Sequence, residues 1–231
     1  MSPGTASQQP TVVPAKKAST PRWRRRPEDR PHEIIEAGFR VFGEHGLSAA
    51  RLDDVAKEAG VSKGTIYLYF DSKEALFREV VRAKIITHIE DAERATLERM
   101  DHPDALREFA IRHWAFVTSP VFQTMYQLVN SELTRFPDLS RFYGEEVIHR
   151  SLRLIASLLE RGMDRGELRR TDPFAAGRIF ASMFISHAVW FSRRDHFGTF
   201  PQQSSESVRD ALVEFFAQAM AVPSFAPLPT H

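Results

Sequence analysis

The chain has 231 residues, 42% of them hydrophobic, a formal net charge of +1 and no cysteine. That length and composition suffice for a substantial core in one generous domain or two small ones, and the lack of thiols excludes disulfides and thiolate metal sites. No apolar run approaches the roughly 18 residues of a membrane span, and no apolar segment follows the N-terminal basic residues as a secretory signal requires. A cytoplasmic protein with no membrane partner is therefore expected.

The small net charge conceals an asymmetry. Residues 1–31 hold seven cations against Glu28 and Asp29, a surplus of five, and leave the rest of the chain with 24 cations and 28 acids. A basic arm on a slightly acidic body suits a polyanion met at one end. Residues 1–30 are rich in Pro, Ser, Thr, Gln and basic residues without apolar periodicity, so a disordered arm is expected there. Its Arg22, Arg24, Arg25 and Arg26 are candidates for contact with nucleic acid; a solvated tail with incidental charge is the alternative.

The first helix is expected from Pro31 to Gly46, with a core face of Ile35, Phe39 and Phe42 and with Ile34 and Val41 alongside. Next, Leu52, Val55, Ala56 and Ala59 fall at helical spacing, Gly60 supplies a permissive helix end, and Ser62 can cap a following short helix. In that helix Ile66 and Phe70 face the core and Lys63, Thr65, Tyr67, Leu68 and Tyr69 occupy the other faces. This is helix-turn-helix punctuation. Ser62, Lys63, Gly64 and Thr65 offer the hydroxyls, cation and helix N-terminal amides that grip a phosphate backbone. Tyr67 could equally be a packed core aromatic.

Asp71 and Glu74 stand at capping-box spacing before a long fourth helix, through Leu76, Phe77, Val80, Val81, Ile85, Ile89 and Leu97 towards Met100. It would form a rod of about 40 Å, ended by Asp101-His102-Pro103. Five further helices are expected, at Asp104 to Thr118, Val121 to Arg135, Asp138 to about Asp164, Pro173 to Arg194 and Ser205 to Met220. No strand-like alternation occurs, so the fold class is all-α with about nine helices. The expected domains are 31–78, a three-helix unit carrying the helix-turn-helix, and 79–221, a larger helical unit, followed by a loose tail at 222–231.

The stretch from Ala59 to Phe70, followed by Ser72-Lys73-Glu74-Ala75-Leu76-Phe77, resembles the TetR family of one-component transcriptional regulators. The resemblance covers roughly residues 32–80. It implies that Lys63, Thr65, Tyr67, Leu68 and Tyr69 meet the major groove of a double-stranded operator and that Lys73 meets a phosphate. These proteins commonly carry Thr where this chain has Ala50, so a cap and a phosphate contact are missing there; Ser48, or Arg51 by its charge, could compensate. Ser131-Glu132 to Glu146, with Arg135 to Leu139 and Phe142-Tyr143, is similar to ligand domains of AcrR- and AefR-like regulators near drug-efflux genes.

In the second domain, Trp114, Met125, Tyr126, Phe142, Tyr143 and Met183, with His187, supply the adaptable apolar surface and polar tips of a small-molecule pocket. Any one of them could simply be core. The last two helices are apolar on more than one face, with Phe180, Phe184 and Trp190 on one and Leu212, Phe215 and Phe216 on the other. That suggests a buried partner, which the resemblance identifies as the same pair from a second subunit. No HExxH pattern, metal cluster or nucleophile-base set is present, so neither an enzyme nor a metal or cofactor is expected. The sequence points to a homodimeric repressor that releases a palindromic operator when a small hydrophobic inducer binds. The alternative is a regulator of the same fold without a small ligand, governed by a protein partner or acting as a global organiser.

Overall fold

A computed structural model describes residues 30–102, 104–197 and 203–222, and every regular element among them is helical. Helix α1 (Arg30–Ala49) buries Ile34, Ala37, Val41 and Phe42. The buried stripe is rotated from the expected one, for Ile35 and Phe39 are only partly buried against its edge. Gly46 breaks α1 with φ of 76°, a left-handed conformation that turns the chain so that Leu47 re-enters the core.

Helix α2 (Leu52–Ala59) buries all four predicted apolar positions. It ends at Gly60, whose φ of 67° lets the Val61 N–H reach the Ala56 carbonyl at 2.9 Å. Ser62 then caps α3 (Lys63–Tyr69), its hydroxyl accepting from the Thr65 N–H at 3.1 Å. The cap of α4 (Lys73–Val81) is Ser72, which accepts from the Ala75 N–H at 3.0 Å. It therefore falls one residue after the expected Asp71.

A π-helical turn over Arg82–Ile86 joins α4 to α5 (Thr87–Arg99), completing the long rod. The wider turn rotates the apolar stripe. Within it Ile85 and Ile86 are buried and beyond it Ile89 and Thr96, while Leu97, expected on the core face, is exposed. There follow α6 (Ala105–Val117), α7 (Pro120–Glu132) and α8 (Pro137–Tyr143). A second π turn, Gly144–His149, runs into α9 (Arg150–Asp164). Last come α10 (Pro173–Ser192), the short α11 (Arg194–Phe197) and α12 (Ser205–Met220).

Two apolar clusters organise the bundle. The first joins α1–α5 to Met125, Leu128, Leu133, Leu139, Phe142, Tyr143 and Val147, so packing is continuous across residue 78. The second unites α6, α9, α10 and α12 around Phe180 and Phe184, with Phe116 against both clusters. Helix α10 is long and apolar enough, by length and composition alone, to cross a membrane, contrary to the expectation that no segment would be. Its apolarity has a different cause. Ala176, Phe180, Phe184 and Ala188 serve the core, while Phe174, Ile179 and Trp190 lie on the outside.

Candidate nucleic-acid interface and cavity

Within α3 only Ile66 is buried. Tyr67, Leu68 and Tyr69 are 47%, 83% and 41% exposed, which removes the core reading for Tyr67. Three consecutive large side chains with this much surface left uncovered on a seven-residue helix mark a contact surface. Beside them Lys63 pairs with Asp53 (Nζ to Oδ2, 2.8 Å), which raises the lysine's pKa. Arg51 is near enough for its charge to oppose this. Arg51 occupies the cap position of α2 without a side-chain cap bond, and Gly64 is exposed. Arg51, Lys63, Thr65, Gly64 and the Ser62-capped start of α3 thus form one cationic, hydroxyl-bearing edge.

Lys73 is half-buried, and its Nζ donates to the Ser48 carbonyl at 2.7 Å and the Ala50 carbonyl at 3.2 Å. It braces the α1–α2 corner from within. Ser48 does not cap α2, for its hydroxyl and N–H are both given to Glu132 at the end of α7. Arg22, Arg24, Arg25 and Arg26 lie outside the described residues.

The seven residues expected around a ligand are dispersed. Met125, Phe142 and Tyr143 belong to the first cluster, where the Arg78 and Arg82 guanidiniums lie 4.9 and 5.3 Å from the Phe142 ring centre. Burial there pushes the Tyr143 phenol well above its ordinary pKa. Trp114 is in the second cluster, its indole N–H bonded to Ser205 Oγ at 2.9 Å. Tyr126 and Met183 pack against that cluster, and His187 Nδ1 lies 2.8 Å from the Met183 carbonyl.

A cavity of about 390 Å³ opens elsewhere, between α6, α9, α10, α12 and the turn after α9. Its walls are Ala105, Leu106, Ala110, Leu158, Gly162, Leu168, Phe180, Val213, Phe216, Ala217 and Ala221, with Arg107, Arg165 and Glu167 as its charged members. None of the seven expected residues lines it. The gap expected between the helix ending near Asp164 and the one starting at Pro173 does hold a turn, but that the Arg169 N–H donates from it to the Met220 carbonyl at 2.8 Å, bringing it against the end of α12, is a long-range contact that spacing does not reveal. Behind Phe180 sits His113, its ring 5.6–5.8 Å from Phe109, Phe180 and Phe184. The residue as a whole is half-buried, but Nε2 is shielded from solvent and has no hydrogen-bond partner among the described residues. Burial, and then the nearby charge of His88, push its pKa down to about 4.

The residues expected at a subunit interface divide by burial. Phe180 and Phe184 stack on each other at 4.4 Å inside the chain, and Leu212 and Phe216 are buried with them, so these four cannot face a partner. Trp190 and Phe215 are exposed, and Phe174 and Ile179 join them on the outside.

A helix-turn-helix with an exposed second helix, packed on a larger helical bundle through one shared apolar cluster, defines a DNA-binding regulator. Family models agree along the chain: bacterial regulatory proteins of the tetR family match residues 34–80, and the C-terminal domain of AefR-like transcriptional repressors matches residues 104–221. The chain belongs to the TetR family of transcriptional regulators, with an AefR-like C-terminal domain.

Among curated relatives, the fatty acid metabolism regulator protein of Bacillus subtilis (strain 168) is 26% identical over 163 residues, 68% of this chain and 81% of that one. Among solved structures, a TetR-family regulator from Mesorhizobium loti MAFF303099 superposes with a TM-score of 0.67 at 26% identity, covering 84% of this chain and 98% of the other. The flavonoid-responsive regulator FrrA superposes with a TM-score of 0.60 at 27% identity, covering 84% and 98%.

Proposed function

We propose that the protein is a homodimeric, cytoplasmic repressor whose α3 reads a two-fold symmetric operator and which releases it when a small hydrophobic effector enters the C-terminal bundle. The observation that carries this reading is the exposed run Tyr67-Leu68-Tyr69 beside the Arg51–Lys63 edge. Lys63, Thr65, Gly64 and Ser62 grip phosphates at the groove edge, with Arg51 adding charge, while Tyr67, Leu68 and Tyr69 touch bases. Lys73 acts indirectly, holding the corner that presents them, and Arg22 to Arg26 add counterion release.

Dimerisation uses the outer faces of α10 and α12, where Phe174, Ile179, Trp190 and Phe215 leave apolar surface open to water. An effector is supported by the apolar cavity and by relatives named for fatty acid metabolism and for a response to flavonoids.

Selection of bound fragments from random DNA by the purified protein tests the reading. A motif with two inverted half-sites, their centres one helical turn of roughly 34–36 Å or a multiple apart, is the expected result. No enrichment over input would overturn it.

A further inference from the structure

The cavity offers one face of chemistry to a guest and a different one at its rim. Its walls are aliphatic and aromatic side chains from four helices. Of the charged members at the rim, Arg165 is satisfied internally: it holds Glu167 through two bonds of 2.8 and 2.7 Å and the Met100 carbonyl at 3.0 Å. Arg107 is exposed and makes no hydrogen bond or ion pair with the described residues. Its charge reaches Asp210 and helps to depress that carboxyl's pKa, but Asp210 is already held by Arg209 at 2.9 Å. The rim therefore presents one uncommitted guanidinium above an apolar hole.

We propose that this cavity takes the tail of an amphiphile with a single anionic head, a medium-chain carboxylate, whose head is bound at the rim by Arg107. The proposal rests on the effector-responsive reading above and supplies its ligand class and site. A cavity of about 390 Å³ lies in the range of ligand pockets, about 300–1,000 Å³. A guanidinium is the side chain best shaped for a carboxylate, which it can meet through two parallel bonds. A cationic head would meet Arg107 with like charge, and a neutral head would gain only the tail's burial. Phe180, which lines the cavity and stacks on Phe184, lies between the guest and His113, so an occupied cavity bears on the aromatic centre of the bundle.

Calorimetric titration of the full-length protein with decanoate, decanol and decyltrimethylammonium tests this. Decanoate should bind best, and the cationic amphiphile worst. Arg107→Gln, at an exposed position, should weaken decanoate about tenfold, the worth of one charge-assisted contact, and leave decanol unchanged. Ala110→Leu, which pushes a larger side chain into the hole, should abolish both.

The assignment is overturned if the wild type does not bind decanoate, if Arg107→Gln binds it as tightly, or if the cationic amphiphile binds equally well. A folded Ala110→Leu protein that still binds both ligands would also overturn it. Should Ala110→Leu fail to fold, the Arg107→Gln comparison decides alone. Failure of the site is distinct from failure of the regulator reading, since the same preparation either selects an operator from random DNA or does not.

Discussion

Glu132 and Ser48, 84 positions apart, are clasped: the Glu132 carboxylate accepts hydrogen bonds from both the Ser48 hydroxyl and the Ser48 backbone N–H, the latter at 3.0 Å. The clasp ties the end of α7 to the corner between α1 and α2. Its two bonds hold the Glu132 carboxyl below the usual carboxylate range, the Ser48 hydroxyl first among the causes. On the other side of the corner, Lys73 grips the Ser48 carbonyl. The corner that precedes α2 and α3 is thus held by one residue from each side, so that on the effector-responsive reading proposed above a shift of α7 would bear on α3 through Ser48.

Glu132→Ala should lower stability by about 1–2 kcal/mol, the worth of charge-assisted bonds at a half-exposed site. It should reduce the effector's influence on operator binding more than operator binding itself. Gly46→Ala should act in the same direction, because the φ of 76° is strained for any side chain and its Cβ would lie 3.0 Å from Glu132 Oε1. Thermal melts and operator release, measured side by side, separate the two effects.

His113 gives the protein a defined acid sensitivity. Unfolded, it takes up a proton near 6.5; folded, near 4. Between those values the unfolded state binds more protons, so its contribution to stability is complete above pH 6.5 and is lost as pH falls towards 4. The loss amounts to on the order of 3 kcal/mol. His88, also lowered by burial, adds in the same direction. Denaturant melts of wild type and His113→Leu across that range should show a steep pH slope in the first and a shallower one in the second.

Asp53 holds Lys63 at 2.8 Å in the free protein. On the proposed operator that carboxylate would compete with phosphate for the lysine and repel the backbone. Asp53→Asn should therefore raise affinity for all sequences, several-fold at low salt and less at high salt. Fluorescence anisotropy at two salt concentrations reads it.

The division of α10 and α12 into inner and outer faces predicts opposite consequences for neighbouring residues. Ile179→Glu and Phe215→Glu, at side chains 64% and 66% exposed, should yield folded monomers in sedimentation velocity. Phe180→Ala should instead cost about 3–5 kcal/mol of stability, since that ring is enclosed by Phe109, Phe184 and Phe216.

Where one turn of chain determines geometry, the sequence was readable. Gly60 and Ser62 lie within four residues of the groups they serve, and the α2–α3 turn follows from them. Ser72 rather than Asp71 caps α4, and adjacent residues that can both cap leave that choice open to a sequence reading. Helix α10 was ambiguous for a different reason: it is apolar nearly all round, so periodicity could not say that Phe180 and Phe184 point inward and Ile179 outward. The cavity and the Ser48–Glu132 clasp depend on side chains brought together from distant helices. Aromatic and methionine residues such as Met125 and Tyr143 have the same composition whether they line a pocket or fill a core.

On the proposed function α3 reads the operator through Leu68 and Tyr69 while Lys63 supplies phosphate grip, and an anisotropy titration on the selected operator and a scrambled duplex measures this directly. Leu68→Ala with Tyr69→Ala should bring the operator's affinity down towards that of the scrambled duplex, by about 1–3 kcal/mol for each base-reading side chain removed, in a protein that still folds and dimerises. Lys63→Ala should weaken both duplexes alike. Discrimination between the two duplexes that survives the double substitution would exclude α3 as the reader, because some other surface would then be reading the DNA.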